Sequence, residues 1–163
     1  MIAEKMLGAL NGQIQEEMYS AYLYLSMAAD FETKNLPGFS QWMKEQSKEE
    51  MNHAMKLYGY INERGGKVEL QALGKPQSNW DSPLAAFEAA YQHEQHITGC
   101  IDKLIKEARD LGDNATEIFL QWYVSEQVEE EDQTDTIVQK LNMIKGSHNG
   151  LYMLDRELSH RGE

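Results

Sequence analysis

The sequence predicts an all-α protein, a bundle of four long helices with one long crossover connection and a short fifth helix. Apolar residues recur at spacings of three and four through four long segments, as expected for helices that each bury one face. Glycine, proline and asparagine mark the breaks between these segments. One break is far longer than the others. We expect a single domain over residues 1–163, with the bundle at about 3–145 and the fifth helix at about 150–159.

The first two helices are predicted on either side of a tight turn at Asn35-Leu36-Pro37-Gly38, where Pro37 suits a first helical turn. Gly65-Gly66 ends the second helix, as expected for a glycine C-cap. The stripe of the first segment is Met6, Leu10, Ile14, Glu17, Ala21, Tyr24 and Ala28, and that of the second is Phe39, Met43, Gln46, Glu50, His53, Leu57 and Tyr60.

The third helix is predicted to begin at Ser82-Pro83, an N-cap followed by a first-turn proline. It ends near Gly112, and Asn114 with Glu117 resembles a capping box for the fourth helix. After a hinge at residues 146–150, a last short helix runs from Leu151 to about Ser159. The third stripe is Leu84, Phe87, Tyr91, Glu94, Thr98, Ile101, Ile105 and Ala108, and the fourth is Leu120, Tyr123, Gln127, Glu130, Thr134, Ile137, Leu141 and Ile144.

Residues 66–82 form a linker of about 17 residues, whereas the other connections are short. Short links join antiparallel neighbours, but a long link can run the length of a bundle. The second and third helices are therefore predicted to be parallel.

Composition narrows the possible functions. With 27 acidic and 15 basic residues, the net charge of −12 argues against nucleic-acid binding and suits a protein that attracts cations. A single cysteine is too few for an internal disulfide or for the cysteine clusters that hold structural zinc or iron–sulfur centres. We expect a cytoplasmic protein, with neither a signal peptide nor a membrane span.

Each of the four stripes is interrupted by polar residues near the middle of its helix. Carboxylates are rarely buried unless they are paired or bind a metal, and mid-helix positions meet at one height in a bundle. A shared metal centre is the simplest explanation. The interrupting residues are Glu17, Glu50 with His53, Glu94, and Gln127 with Glu130.

Oxygen ligands with one imidazole suit iron or manganese, and can also hold zinc. Glu50 could bridge two ions because a carboxylate has two oxygens, while Glu17 and Glu94 would be terminal ligands on opposite ions. Gln127 is a neutral, weak ligand, so one ion should be held less tightly. Loose binding suits a metal that must pass through.

Three stretches closely resemble the bacterial non-haem ferritins, and the resemblance covers essentially the whole chain. They are Glu49-Glu50-Met51-Asn52-His53, Tyr91-Gln92-His93-Glu94-Gln95, and residues 119–127. Gly150-Leu151-Tyr152 adds to the likeness. The resemblance implies a ferritin-like fold and oxidation of Fe(II) by dioxygen or hydrogen peroxide. It also implies storage of the ferric mineral inside a hollow homo-oligomeric cage of twenty-four subunits.

The resemblance also assigns roles to individual residues. Glu17, Glu50 and His53 match the ligands of a first iron, and Glu50, Glu94 and Glu130 match those of a second, with Gln127 beside the pair. Tyr24 matches a tyrosine next to the centre. A third iron position is matched by Glu49, Glu126, Glu129 and Glu130. No haem is expected, because Gln127 and Glu130 stand where haem-binding relatives carry a second Glu-x-x-His pair.

Other functions remain open from the residues alone. A di-metal peroxidase or oxidase of the rubrerythrin or manganese-catalase type would share the bundle and ligands. A DNA-protecting mini-ferritin is less well matched, because its site lies between subunits and it often carries a basic tail. We expect His93 and His96 to lie at the surface, Trp122 to pack in the core and Cys100 to have no role. Asp110, Asp113 and Glu117 could guide iron near a threefold pore.

Overall fold

Five helices and no strands make up the computed structural model, which describes residues 1–163. They are α1 (Glu4–Thr33), α2 (Pro37–Glu63), α3 (Pro83–Asp110), α4 (Asn114–Met143) and α5 (His148–Leu158). The all-α prediction is confirmed. None of these helices combines the length and apolar composition that a bilayer-spanning segment requires.

The helices begin and end near the predicted capping and breaking residues, with two corrections. Pro37 opens α2, Ser82 caps α3, and Gly65 follows α2 with φ +71°. The capping box predicted from Asn114 is wrong, because the carboxylate of Asp113 accepts the hydrogen bond from the backbone N–H of Thr116. The fifth helix begins before the predicted Leu151, since the hydroxyl of Ser147 caps it by accepting from the N–H of Gly150.

The long crossover lies along α1 and runs in the same direction. Asn11 and Asp30 mark the two ends of this contact. They lie about 28 Å apart along α1, because a helix rises about 1.5 Å per residue. Because α2 returns alongside α1 after a tight turn, the crossover carries the chain back to the end where α2 began. The predicted parallel arrangement of α2 and α3 is therefore confirmed. The hydrogen bonds are Asn11 to Lys67, Gln15 to Ala72, Ser26 to Gln77, and Trp80 to Asp30.

The apolar interior is divided into two clusters. The cluster beside α5 contains the ring group Phe31, Phe39 and Phe87, whose centroids lie 5.1–6.2 Å apart. The other cluster includes Leu57 and Leu120 at the opposite end of the bundle. Between them lies a polar layer that both clusters shield from water. This layer carries the predicted ligands.

Candidate metal centre

The structure brings six of the nine predicted ligands, contributed by four helices, into one buried layer. Every one of them is at most 4% exposed, so the polar atoms must be satisfied by one another or by a bound ion. They are Glu17 from α1, Glu50 and His53 from α2, Glu94 from α3, and Gln127 and Glu130 from α4.

Three overlapping groups of side chains could each hold one metal ion, with ligand atoms within 4.8 Å of one another. Glu50, His53 and Glu130 each belong to two groups, so neighbouring ions would share ligands. The groups are Glu17 with Glu50 and His53; Glu50 with Glu94 and Glu130; and His53 with Glu126 and Glu130.

The first group contains an unsatisfied carboxylate oxygen. Nδ1 of His53 lies 3.2 Å from Oε2 of Glu50 and 4.0 Å from Oε2 of Glu17. That oxygen of Glu17 is buried and accepts no hydrogen bond, although Oε1 accepts one from Gln13 at 2.8 Å. A buried acceptor without a donor is costly, and a cation at this position would satisfy it.

In the second group, neutral donors hold the carboxylates. Tyr24 donates its hydroxyl proton to Glu94, and the amide of Gln127 donates to the other Glu94 oxygen at 3.1 Å. The amide of Gln46 donates to both Glu50, at 2.8 Å, and Glu130, at 2.7 Å. Gln46 lies on the predicted stripe four residues before Glu50, and that spacing is the signal that could have identified it.

The third group only partly matches the residues predicted for a third iron. Oε1 of Glu126 lies 3.4 Å from Nε2 of His53, and its side chain is 25% exposed. Glu49 instead forms a 2.8 Å ion pair with Arg161, and exposed Glu129 accepts from Gln133 at 2.9 Å. Neither Glu49 nor Glu129 belongs to this group.

Arg161 connects the C-terminal end of the chain to the centre. Its guanidinium stacks 4.0 Å from the ring of Trp42 and donates to Oε1 of Gln46 at 2.6 Å. Gln46 in turn holds Glu50 and Glu130. This contact could not be predicted from residue spacing, because it depends on where α5 docks.

Burial makes the carboxylates difficult to ionise without a metal. Burial, with the neighbouring charge of Glu50, raises the pKa of Glu17 well above its usual value. Burial together with Glu94 and Glu130 does the same for the pKa of Glu50. Burial and Glu94 raise the pKa of Glu130 to about 8. With a pKa of about 8, the carboxyl group of Glu130 therefore keeps its proton in the metal-free protein at neutral pH, and the raised pKa values of Glu17 and Glu50 act in the same direction.

Iron binding should consequently release protons. A ligand carboxylate must be ionised, so Fe(II) added without oxygen at pH 7 should displace more than about one proton per chain, and fewer as pH rises through 8. Calorimetry in buffers of different ionisation enthalpy measures this release. The Asp132→Asn variant, altered at an exposed carboxylate, should behave like the unmodified protein. A binding heat independent of the buffer would contradict the buried, protonated state.

Two rings around the centre differ from the expectations: His93 is less exposed than a surface residue, and Trp122 is more exposed than a core residue. His93 is half-buried: its Nε2 lies 2.7 Å from the hydroxyl of Ser20, and its ring packs on Tyr19 and Tyr24. Burial, with His96 nearby, lowers the pKa of His93 to about 4. Trp122 is 39% exposed and lies outside the core, although its ring contacts His53 edge-on.

Two of the residues suggested for a pore have local partners at the α3–α4 turn. Asp113 caps α4 and pairs with Arg64 at 3.1 Å, and Glu117 pairs with Arg109 at 2.6 Å. These contacts explain both acidic residues without a role in iron guidance.

Comparisons with known proteins identify the family of this chain. The family model described as a ferritin-like domain matches residues 7–144. A bacterial non-heme ferritin of Bacteroides fragilis is 40% identical over 161 residues, covering 99% of this chain and all of that protein. A bacterial non-heme ferritin of Campylobacter jejuni is 41% identical, covering 98% and 96% of the two chains.

Solved structures give the same result. A structure described as an open pore ferritin from the hyperthermophilic archaeon Archaeoglobus fulgidus is 53% identical, with a TM-score of 0.98 and 99% coverage of both chains. A form of that ferritin engineered to be closed has the same TM-score and identity. The family match, the near-complete coverage and the shared fold together show that this chain belongs to the ferritin family.

Proposed function

We propose that the protein stores iron: it oxidises Fe(II) to Fe(III) at a di-iron ferroxidase centre within each subunit and keeps the ferric mineral inside a hollow homo-oligomeric cage. The observation that supports this most strongly is the set of overlapping ligand groups, all within one chain and buried between two apolar clusters. Relatives called ferritins support storage in a cage as the purpose of that centre.

The substrates are Fe(II) and either dioxygen or hydrogen peroxide. Two Fe(II) ions that share Glu50 can give two electrons to one oxidant molecule, so one-electron products are avoided. Dioxygen with two electrons and two protons becomes hydrogen peroxide, and hydrogen peroxide with two electrons and two protons becomes two waters. The carboxylates of Glu17, Glu50, Glu94 and Glu130 stabilise the higher charge of Fe(III) electrostatically.

Turnover requires that iron also leaves the centre. Gln127 offers a metal only a neutral amide oxygen, a weaker ligand than the imidazole of a second Glu-x-x-His pair, so an ion near Glu94 should be held less tightly. Glu126 is partly exposed and lies against His53. We propose that Glu126 and Glu130 bind a third iron, the first position on the route from the centre towards the mineral. Glu49 and Glu129 would become ligands of this iron only if their contacts to Arg161 and Gln133 were broken.

Tyr24 should help the reaction without being essential. Tyr24→Phe keeps the ring packed in the core but removes the hydroxyl that donates to Glu94. Loss of an outer contact to a metal ligand typically costs 10- to 100-fold, so we expect the fast oxidation rate to fall by about 10-fold. Stopped-flow absorbance gives the rate, with Tyr152→Phe at an exposed tyrosine as control. A rate equal to that of the control would exclude a role for the hydroxyl.

Particle mass separates storage from the alternative of a di-metal peroxidase or oxidase. A cage of twenty-four chains of 18.7 kDa would have a mass of about 450 kDa by light scattering after size exclusion. A dimer as the only species would contradict storage and leave the di-metal enzyme as the better proposal.

A further inference from the structure

We propose that Glu16, His96 and Cys100 form a second metal site, separate from the iron centre, that binds Zn²⁺ or a similar divalent ion. His96 and Cys100 lie four residues apart on α3 and therefore share one face of that helix. Glu16 reaches them from α1. The side-chain oxygen, nitrogen and sulfur that could act as ligands all lie within 4.8 Å of one another.

The spacing of these atoms fits tetrahedral zinc. With zinc bonds of about 2.0 Å to oxygen and nitrogen and about 2.3 Å to sulfur, tetrahedral ligands are separated by about 3.3 Å (N to O) and about 3.6 Å (N to S). Nε2 of His96 lies 3.0 Å from Oε2 of Glu16 and 3.6 Å from Sγ of Cys100. Both distances lie within a few tenths of an ångström of the tetrahedral values.

The donor set also distinguishes this site from the iron centre. A thiolate with an imidazole and one carboxylate favours borderline and soft ions such as Zn²⁺ and Co²⁺, whereas the iron centre offers oxygens and one imidazole. Glu16 and Glu17 are adjacent on α1 but point in different directions: the side chain of Glu16 is 37% exposed, and Glu17 is fully buried.

Exposure leaves room for a fourth ligand. The side chain of His96 is 54% exposed, so water can complete a site that has three protein ligands. The bound ion would tie α1 to α3 one residue from Glu17. An ordinary Glu16–His96 ion pair does not require the sulfur of Cys100 beside it.

Cobalt provides a direct test, because Cys100 is the only thiol in the chain. Reduced, metal-free protein titrated with Co²⁺ without oxygen should develop near-ultraviolet thiolate-to-cobalt absorption that saturates at one ion per chain, and Zn²⁺ should abolish it. Cys100→Ser should lack this absorption but keep fast iron oxidation. His96→Ala and Glu16→Gln should each weaken cobalt binding at this site by at least about 10-fold.

Two controls identify the source of the signal. Glu50→Gln removes a shared ligand of the iron centre and should leave the absorption intact, so failure of the iron proposal would not affect this result. Asp102→Asn, at an exposed position on α3, should change nothing. Cobalt binding without the absorption would overturn the proposal. Unchanged affinity in both His96→Ala and Glu16→Gln would also overturn it, because the thiol would then be binding metal alone.

Discussion

Replacing Glu50 with alanine is expected to abolish the fast phase of Fe(II) oxidation. Glu50 belongs to two of the three ligand groups, so its loss removes the bridge and one ligand from each of two ions. Changes in residues that only support metal ligands cost 10- to 100-fold, and loss of a shared ligand should therefore slow the initial rate by more than about 100-fold. Stopped-flow absorbance after mixing metal-free protein with Fe(II) in air measures this rate.

Measurements of structure on the same variant distinguish a loss of oxidation activity from a loss of fold. In the metal-free protein, burial and neighbouring carboxylates raise the pKa of Glu50. Burying this group therefore lowers the stability of the folded protein. Removing it should leave the helical content and particle mass unchanged. Asp132→Asn, an exposed acidic residue of α4, provides a control with unaltered rate. Unchanged initial rates in Glu50→Ala would refute the assignment of the bridge.

The second large effect concerns the docking of α5. A Cβ atom on Gly38 would lie 1.6 Å from the backbone oxygen of Asp155, a distance that no small adjustment can relieve. The carboxylate of Asp155 also accepts from the backbone N–H of Phe39 at 3.0 Å. Gly38→Ala should therefore displace α5 and destabilise the protein by about 3 kcal/mol or more. The apparent midpoint of thermal unfolding should fall by about 10 °C.

Another glycine in α2 provides a control of opposite sign. Gly59 lies within the helix, and an added Cβ there has no neighbour within 4 Å. Gly59→Ala should raise stability by about 0.5–1 kcal/mol, because alanine loses less backbone entropy in a helix. If Gly38→Ala unfolded at the same temperature as the unmodified protein, the close contact between α2 and α5 would be wrong.

The bundle and the polar layer could be predicted because each follows from local patterns. Pro37, Gly65 and Ser82 fix the boundaries of helices, and the length of the crossover sets the direction of α3. The buried carboxylates were recognisable because each interrupts an apolar stripe at mid-helix. Such local patterns can be interpreted without knowing which distant residues contact one another.

The contacts that position the ligands depend on packing, which the spacing does not encode. Arg161 reaches Gln46 only because α5 folds against α2. His93 is off the inward stripe, yet Ser20 and two tyrosines of α1 cover it. Trp122 was expected to pack in the core and not to take part in redox chemistry, but it lies on a face of α4 that is largely exposed to solvent. Glu49 was assigned by resemblance, and its partner in this structure is Arg161.

The central claim is that a ferroxidase centre in each chain supplies iron to a mineral core. The most direct test is a stopped-flow titration of the metal-free protein with Fe(II) in air, following absorbance and oxidant consumed per iron. We expect a fast phase that saturates at about two to three irons per chain, matching the ligand groups, followed by slow continued uptake. A fast phase that saturates with no further uptake would contradict storage and indicate a di-metal redox enzyme.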